Sequence, residues 1–266
     1  MKIAFIGGGV MGEAMIRGIL NKGLTTPQDI IANDISASRL ASLKDEYGVR
    51  VTDDYGIAVK GSNVAVIAVK PQNMAELMPK LEGRFTQGQL ALSIVAGASI
   101  ATIASGLGHR SVVRAMPNTP AQIGEGMSVW TASTEVSQGQ KEMARAILGA
   151  LGKEIYVPDE KYLDMATAVS GSGPGYIFLI IEAIVDAAVH IGLPREMAEE
   201  LVIQTVLGAA RLAQETGKHP EELRDMVTSP GGTTAEGLRK LEEGELGALL
   251  ARAVIAAYEK AKELGG

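Results

Sequence analysis

The sequence predicts a doubly wound α/β layer over the first part of the chain, followed by an all-helical domain. Three observations carry that prediction. Short runs of branched apolar residues alternate with helical patterns up to about residue 110. A glycine turn, Gly7-Gly8-Gly9-Val10-Met11-Gly12, lies directly between the first strand pattern and the first helix pattern. Beyond Pro158-Asp159 the strand patterns stop and the chain reads as helix throughout. The expected domains are therefore residues 1–158 and 159–266.

In the first domain, strands are expected at 2–6, 30–33, 64–69 and 90–95, with helices at 11–22, 36–47, 74–81 and 100–107. Continuous apolar strands separated by helices imply a parallel sheet covered on both faces. Further strands are expected at 112–115, 127–131 and 154–157, with a helix at 137–151. In the second domain, 176–191 and 197–215 read as helices. The first carries only Glu182 and Asp186, four apart and so on one face. Its remaining surface is apolar nearly all round and must be buried on most sides. So small a domain can hardly cover that surface alone, and a homodimer built on this half is expected.

Composition narrows the function classes. Of 266 residues, 46% are apolar and 4% aromatic, so alanine and branched aliphatic side chains do the packing. The net charge of −6, with no basic run, speaks against a nucleic-acid partner. The absence of cysteine excludes disulfides, thiolate catalysis and zinc–sulfur sites. His109, His190 and His219 lack metal-ligand spacing, so no metal site is expected. The start runs straight into a strand and glycine turn, unlike a signal peptide. The uncharged run at 166–181 holds Gly, Ser and Pro and reads as too short to span a bilayer. A cytoplasmic protein without a membrane partner is the expectation.

The glycine turn has the spacing of the dinucleotide fingerprint of Rossmann-type folds, in the strand-to-helix context that the fingerprint requires. Gly7 makes the tight turn, Gly9 lets the backbone approach a pyrophosphate, and Gly12 lets helix and strand pack closely. The phosphate charge would then meet free amides at the positive end of a helix. Asn33 and Asp34 end the second strand, where a ribose-binding residue belongs. An acid there favours a ribose 2′-hydroxyl over a 2′-phosphate, but the neighbouring Arg39 could reverse this, so NADPH or NADH remains open. A strand-end turn with Ser36 capping the next helix is compatible with either.

Ala68-Val69-Lys70-Pro71 and Val95-Ala96-Gly97 end two further strands at the edge that faces ligands. Lys70 could border the cofactor or be a solvated strand-end lysine. Asn118, in the rigid turn Met116-Pro117-Asn118-Thr119-Pro120, could bond a carboxamide or substrate, or simply shape that turn. Ser170-Gly171-Ser172-Gly173-Pro174-Gly175-Tyr176 opens the apolar helix, and its three glycines suggest close approach by a cofactor or a partner helix. Near the far end, Thr228-Ser229-Pro230-Gly231-Gly232-Thr233-Thr234 places several unpaired amides at a helix start, a receptor for a carboxylate or a plain capping motif.

One absence bears on the chemistry. Ketone reduction usually needs a proton donor beside the carbonyl, often Lys or His. Between Gly171 and Val189 there is neither. An imine can arrive already protonated, so the pattern tilts from C=O toward C=N.

Taken in order, these motifs resemble the pyrroline-5-carboxylate reductase family over essentially the whole chain. The likeness rests on Phe5-Ile6-Gly7-Gly8-Gly9-Val10-Met11, Val69-Lys70-Pro71 and Arg114-Ala115-Met116-Pro117-Asn118-Thr119-Pro120. It continues through Ser170-Gly171-Ser172-Gly173-Pro174, Gly192-Leu193-Pro194-Arg195, Gln204-Thr205-Val206-Leu207-Gly208-Ala209-Ala210 and the stretch from Val227 to Thr234, the most specific of all. The resemblance implies a Rossmann domain, a helical dimerisation domain, often a ring of dimers, and reduction of 1-pyrroline-5-carboxylate, a cyclic imino acid, to L-proline by NADPH or NADH. It implies cofactor contacts at Ile6, Gly7, Gly8, Gly9, Val10, Met11, Ala68, Val69, Lys70, Pro71, Val95, Ala96 and Gly97. It puts the substrate at Ser229, Gly231, Gly232, Thr233 and Thr234, with the Thr234 hydroxyl near the ring nitrogen as the candidate catalytic group. Cofactor and substrate segments would come from different subunits in some arrangements. Val10 stands where the family often has Asn or Gln, and Gly175 where Ala is usual. A reductase of another cyclic imino acid and a non-catalytic NAD(P)-binding sensor are the alternatives. A β-hydroxyacid dehydrogenase shares the layout but wants the missing lysine.

Overall fold

The structure, a computed structural model, describes residues 1–265. Gly266, the last residue of the expected second domain, lies outside them. Tertiary contacts divide the chain into two units: Met1–Ser172 together with the chain from Ala257, and Gly173–Ala256.

The first unit is built in order from β1 (Ile3–Ile6), α1 (Val10–Asn21), β2 (Ile30–Asn33), α2 (Ala37–Tyr47), β3 (Arg50–Thr52), α3 (Tyr55–Val59) and β4 (Val64–Ile67). It continues with α4 (Met74–Leu81), β5 (Leu90–Ser93), α5 (Ile100–Leu107), β6 (Val112–Met116), β7 (Gly126–Ala132), α6 (Gln138–Gly149), β8 (Gly152–Tyr156) and α7 (Lys161–Ala166). The eight strands form one sheet in the order β3-β2-β1-β4-β5-β6-β7-β8. This is the doubly wound arrangement, in which ligands bind at the carboxyl ends of the strands where the order reverses. Alternation along β1 sorts the core into two layers. Ile3 and Phe5 join Met15, Ile16, Trp130 and Ile147 on one face; Ala4 and Ile6 join Ile67, Leu77 and Ile103 on the other.

Three features depart from the sequence expectation. The β6–β7 pair is antiparallel, Met116 opposite Val129, within an otherwise parallel sheet. Residues 117–125 hold only a short helical turn, Thr119–Ile123, and a parallel return needs a longer crossover. β3 and α3 escape sequence reading because each is too short to show a period; α3 is set by Asp54, whose Oδ1 accepts from the Ile57 amide at 2.8 Å. β4 and β5 also stop two residues before the expected ends at 69 and 95, since the chain turns out of the sheet where Ala68 and Ile94 make the last ladder bonds, to Ile6 and Ile67.

The second unit contains α8 (Gly173–His190), α9 (Arg195–Thr216), α10 (Pro220–Met226), α11 (Thr233–Glu243) and the start of α12 (Leu246–Gly265). Its buried apolar cluster is small, centred on Val185, Ala198 and Val202. Phe178, Leu179, Leu201 and Ile203 are each more than half exposed. The helix from Lys161 to His190 runs 30 residues and, by length and composition, is long and apolar enough to cross a membrane. The sequence expectation of a run too short is corrected here, because helix continues on both sides of the glycine-rich segment. A π-turn at Thr167–Gly171, closed by Ser172 N donating to the Thr167 carbonyl at 2.8 Å, carries it through.

Candidate active site

In the first unit the glycine turn is shaped by contacts that only glycine permits. Gly7 adopts φ +104°, and a Cβ there would lie 2.6 Å from the Ala68 carbonyl oxygen. A Cβ on Gly12 would strike the Gly7 carbonyl. These two glycines are therefore structural. Gly9 differs: its φ is an ordinary −64°, it caps α1 without any side-chain bond, and a Cβ would meet nothing within 4 Å. The open flank of Gly9 and the first-turn amides of α1 fit a pyrophosphate.

A cleft of about 410 Å³ opens at this turn. Ile6, Gly7, Gly9, Asn33, Asp34, Ala68, Val69 and Lys70 line it, so the structure brings together the expected residues from three strand ends. Gly8, Val10, Met11 and Pro71 are their chain neighbours, with Gly8 buried and Val10 exposed. Val95, Ala96 and Gly97 are not among the lining residues. Val95 is buried in the core, and Gly97, at φ +75°, lies against the Leu264 backbone, where a Cβ would come within 2.6 Å of a carbonyl oxygen.

Beside the cleft, the side chains at the end of β2 are firmly held. Asn33 is buried and donates from Nδ2 to the Thr52 carbonyl at 3.1 Å, tying β3 to the sheet. Asp34 accepts from the Gly8 amide at 2.8 Å through Oδ2 and from the Ser36 amide at 2.9 Å through Oδ1. Arg39 donates through Nε to the Gly8 carbonyl and through Nη2 to Glu13, whose other oxygen accepts from the Tyr47 hydroxyl at 2.9 Å. Burial raises the Glu13 carboxyl, but the bonds from Arg39 and Tyr47 outweigh it and hold the group below its ordinary range. Burial and the Glu46 and Glu13 carboxylates push the Tyr47 phenol up. Glu13 and Tyr47 are not legible in the sequence, because the bonds that Glu13 accepts from Arg39 and Tyr47 join α1 to α2. Tyr55, Gln72, Glu76 and Lys80 also line the cleft unforeseen. Tyr55 and Gln72 lie on short helical turns without a periodic signal, whereas Glu76 and Lys80 lie on α4, a helix that the sequence shows without disclosing which of its residues reach the cleft.

Farther along the sheet, Asn118 donates through Nδ2 to the Ser170 carbonyl at 3.0 Å and accepts through Oδ1 from the Met127 amide at 2.8 Å. Pro174 has no N–H to offer that carbonyl four residues before it, so the asparagine takes its place. A Cβ on Gly171 would lie 3.1 Å from Met116 Cε, a tight contact with the end of a flexible side chain. Arg114, buried in β6, pairs with Glu160 at 2.8 Å and Asp164 at 2.9 Å. Glu160 also accepts from the Ile100 amide at 2.8 Å, so the start of α7 is pinned to β6 and to the start of α5.

In the second unit, the Ser229 to Thr234 segment forms a tight turn into α11. Gly231 adopts φ +71°, and Gly232 N donates to the Ser229 carbonyl at 3.0 Å. Gly232 is the N-cap and supplies no side-chain bond to the helix. No side chain at the N-cap satisfies the first-turn amides, among them those of Thr233 and Thr234, and the positive end of a helix with unpaired amides is suited to a carboxylate. Ser229 and Gly231 are exposed, while Gly232 and Thr234 are half-buried.

Comparisons with known proteins agree along the chain. A family described as pyrroline-5-carboxylate reductase dimerisation matches residues 160–264, and one described as NADP oxidoreductase, coenzyme F420-dependent, matches residues 2–97. A pyrroline-5-carboxylate reductase of Methanosarcina acetivorans is 42% identical, covering 99% of this chain and 98% of the relative. A pyrroline-5-carboxylate reductase from Coxiella burnetii has a similar solved structure, with a TM-score of 0.92 at 39% identity, covering 100% of this chain and 98% of that one. The Plasmodium falciparum pyrroline carboxylate reductase, solved with NADP bound, gives a TM-score of 0.91 at 30% identity, covering 100% and 98%.

Proposed function

Because the chain belongs to the pyrroline-5-carboxylate reductase family, we propose residue roles for its reaction, the NAD(P)H-dependent reduction of 1-pyrroline-5-carboxylate to L-proline. The observation that carries the assignment of the substrate cradle is the uncapped start of α11 after the left-handed Gly231. Amides at Thr233 and Thr234 hold the substrate carboxylate, with Ser229, Gly231 and Gly232 shaping the turn. The Thr234 hydroxyl sits at the ring nitrogen and fixes which face of the ring is presented. The nicotinamide, when bound, supplies the hydride.

The chain's part is binding and orientation. The open flank of Gly9 and the start of α1 hold the pyrophosphate, Asp34 the adenine-side ribose, and Ala68, Val69 and Lys70 the rest of the cleft. The protonated imine takes hydride at carbon while its π electrons pass to nitrogen, which already carries the proton of the product amine. No enzyme acid is needed in that step. Orientation of aligned reactants is worth roughly 7–11 kcal/mol, enough to carry most of the rate enhancement. Asn118 acts in this scheme by holding the π-turn rather than by touching the ring.

The exposed apolar faces of α8 and α9 support a homodimer, and association into a ring of dimers would build on it. A cytoplasmic location fits the biosynthetic role of the family. Thr234→Ala tests the cradle: kcat/KM for the imine should fall about tenfold to a hundredfold, with Thr234→Ser restoring much of it. Full activity and affinity in Thr234→Ala would remove the hydroxyl from the scheme.

A further inference from the structure

The end of β2 holds the means of choosing between the two nicotinamide dinucleotides. Resting on the reductase reading, we propose that Asp34 makes this chain selective for NADH over NADPH. Asp34 lines the cleft and sits where a ribose 2′-hydroxyl is read in doubly wound folds. Its two oxygens are fixed by the Gly8 and Ser36 amides at 2.8 and 2.9 Å. Each keeps a further lone pair, so the carboxylate is a rigid acceptor for a hydroxyl. A 2′-phosphate would set two anions against each other there.

The cation that could offset that repulsion is engaged elsewhere. Arg39, in the first turn of α2, points its guanidinium at the Gly8 carbonyl and the Glu13 carboxylate, and Glu13 is locked by Tyr47. Freeing Arg39 would leave Glu13 without its ion-pair partner. Lys80 pairs with Glu76 at 2.6 Å on α4. Lys70 lies past the end of β4, which is separated from β2 by the whole of β1, about two strand spacings or roughly 10 Å away. Ser36 and Ser38 offer hydroxyls at the start of α2, bonded to each other, but no charge.

The test is isothermal titration of the full chain with NADH, NADPH, ADP-ribose and 2′-phospho-ADP-ribose. The wild-type chain should bind each non-phosphorylated ligand at least about tenfold tighter than its 2′-phosphorylated partner, since like charges set side by side cost at least that much affinity. The gap should narrow as salt screens it. In Asp34→Ser, affinity for NADPH should rise and that for NADH fall, closing the gap. In Glu13→Gln, Arg39 is released and NADPH should tighten with little change for NADH. Equal or tighter binding of NADPH by the wild-type chain overturns the proposal, whatever the variants do; so does an unchanged ratio in a folded Asp34→Ser. A chain that reduces the imine yet binds both dinucleotides alike would overturn this inference and leave the assigned reaction standing.

Discussion

Asn118 and Ser170, 52 residues apart, are joined by a 3.0 Å hydrogen bond to a carbonyl that the proline at 174 leaves unserved. The same amide grips the Met127 backbone, so one side chain ties the end of β6, the start of β7 and the π-turn together. Asn118→Ala should cost about 1–3 kcal/mol of stability by orphaning both partners. Asn118→Asp keeps the acceptor for Met127 but turns an oxygen on Ser170, and should lower kcat/KM as well. Urea unfolding with steady-state kinetics on both variants checks this; unchanged midpoints and rates would reduce the bond to decoration.

The glycine turn separates structural from ligand-facing positions. Gly7→Ala forces a methyl into the Ala68 carbonyl at a left-handed backbone, a strain of about 1–3 kcal/mol before overlap is counted. It should lower the melting temperature markedly. Gly9→Ala meets open space at an ordinary φ, so its melting temperature should match the wild type. Its dinucleotide affinity should nonetheless fall about tenfold, or about 1.4 kcal/mol, because the methyl stands where the pyrophosphate approaches. The reverse pattern would make Gly9 the structural glycine and Gly7 the ligand-facing one.

That contrast shows what the sequence discloses and what it hides. The Gly7, Gly9 and Gly12 spacing announces strand, turn and helix because each glycine answers a local backbone demand. The long strands and helices were equally legible from their periods. The antiparallel β6–β7 pair was not, since pairing direction depends on how the 117–125 connection folds. Nor was the Glu13, Arg39 and Tyr47 cluster, whose members come from two helices, α1 and α2, and acquire meaning only by packing. Asn118 stands out in the sequence for its chemistry, but its structural partners depend on a carbonyl that Pro174 cannot serve.

Stability should respond to pH through that cluster at both ends of the scale. The Glu13 carboxyl lies below its ordinary 4.5, so its contribution is present above that value and is lost as pH falls through the folded value. The Tyr47 phenol lies above its ordinary 10.0, so its contribution is present below 10.0 and fades as pH rises toward the folded value. Glu13→Gln should flatten the acid limb of a stability profile and weaken the alkaline limb. A profile unchanged in shape would show that the cluster is not coupled to folding.

The helical unit exposes apolar side chains that need cover. Phe178, 62% exposed on α8, is a test position. Phe178→Asp should shift the chain toward monomer in sedimentation velocity at micromolar concentration, because a buried interface cannot hold an unpaired carboxylate. An unaltered sedimentation coefficient would move the subunit contact to another face.

The most direct measurement follows NADH and NADPH oxidation by the purified chain with 1-pyrroline-5-carboxylate, alongside the six-membered imino acid, with proline quantified as product. The account predicts oxidation that depends on the five-membered imine, one L-proline formed per dinucleotide consumed, and the faster reaction with NADH at low dinucleotide concentration. Tight dinucleotide binding with no oxidation by either imine would contradict it.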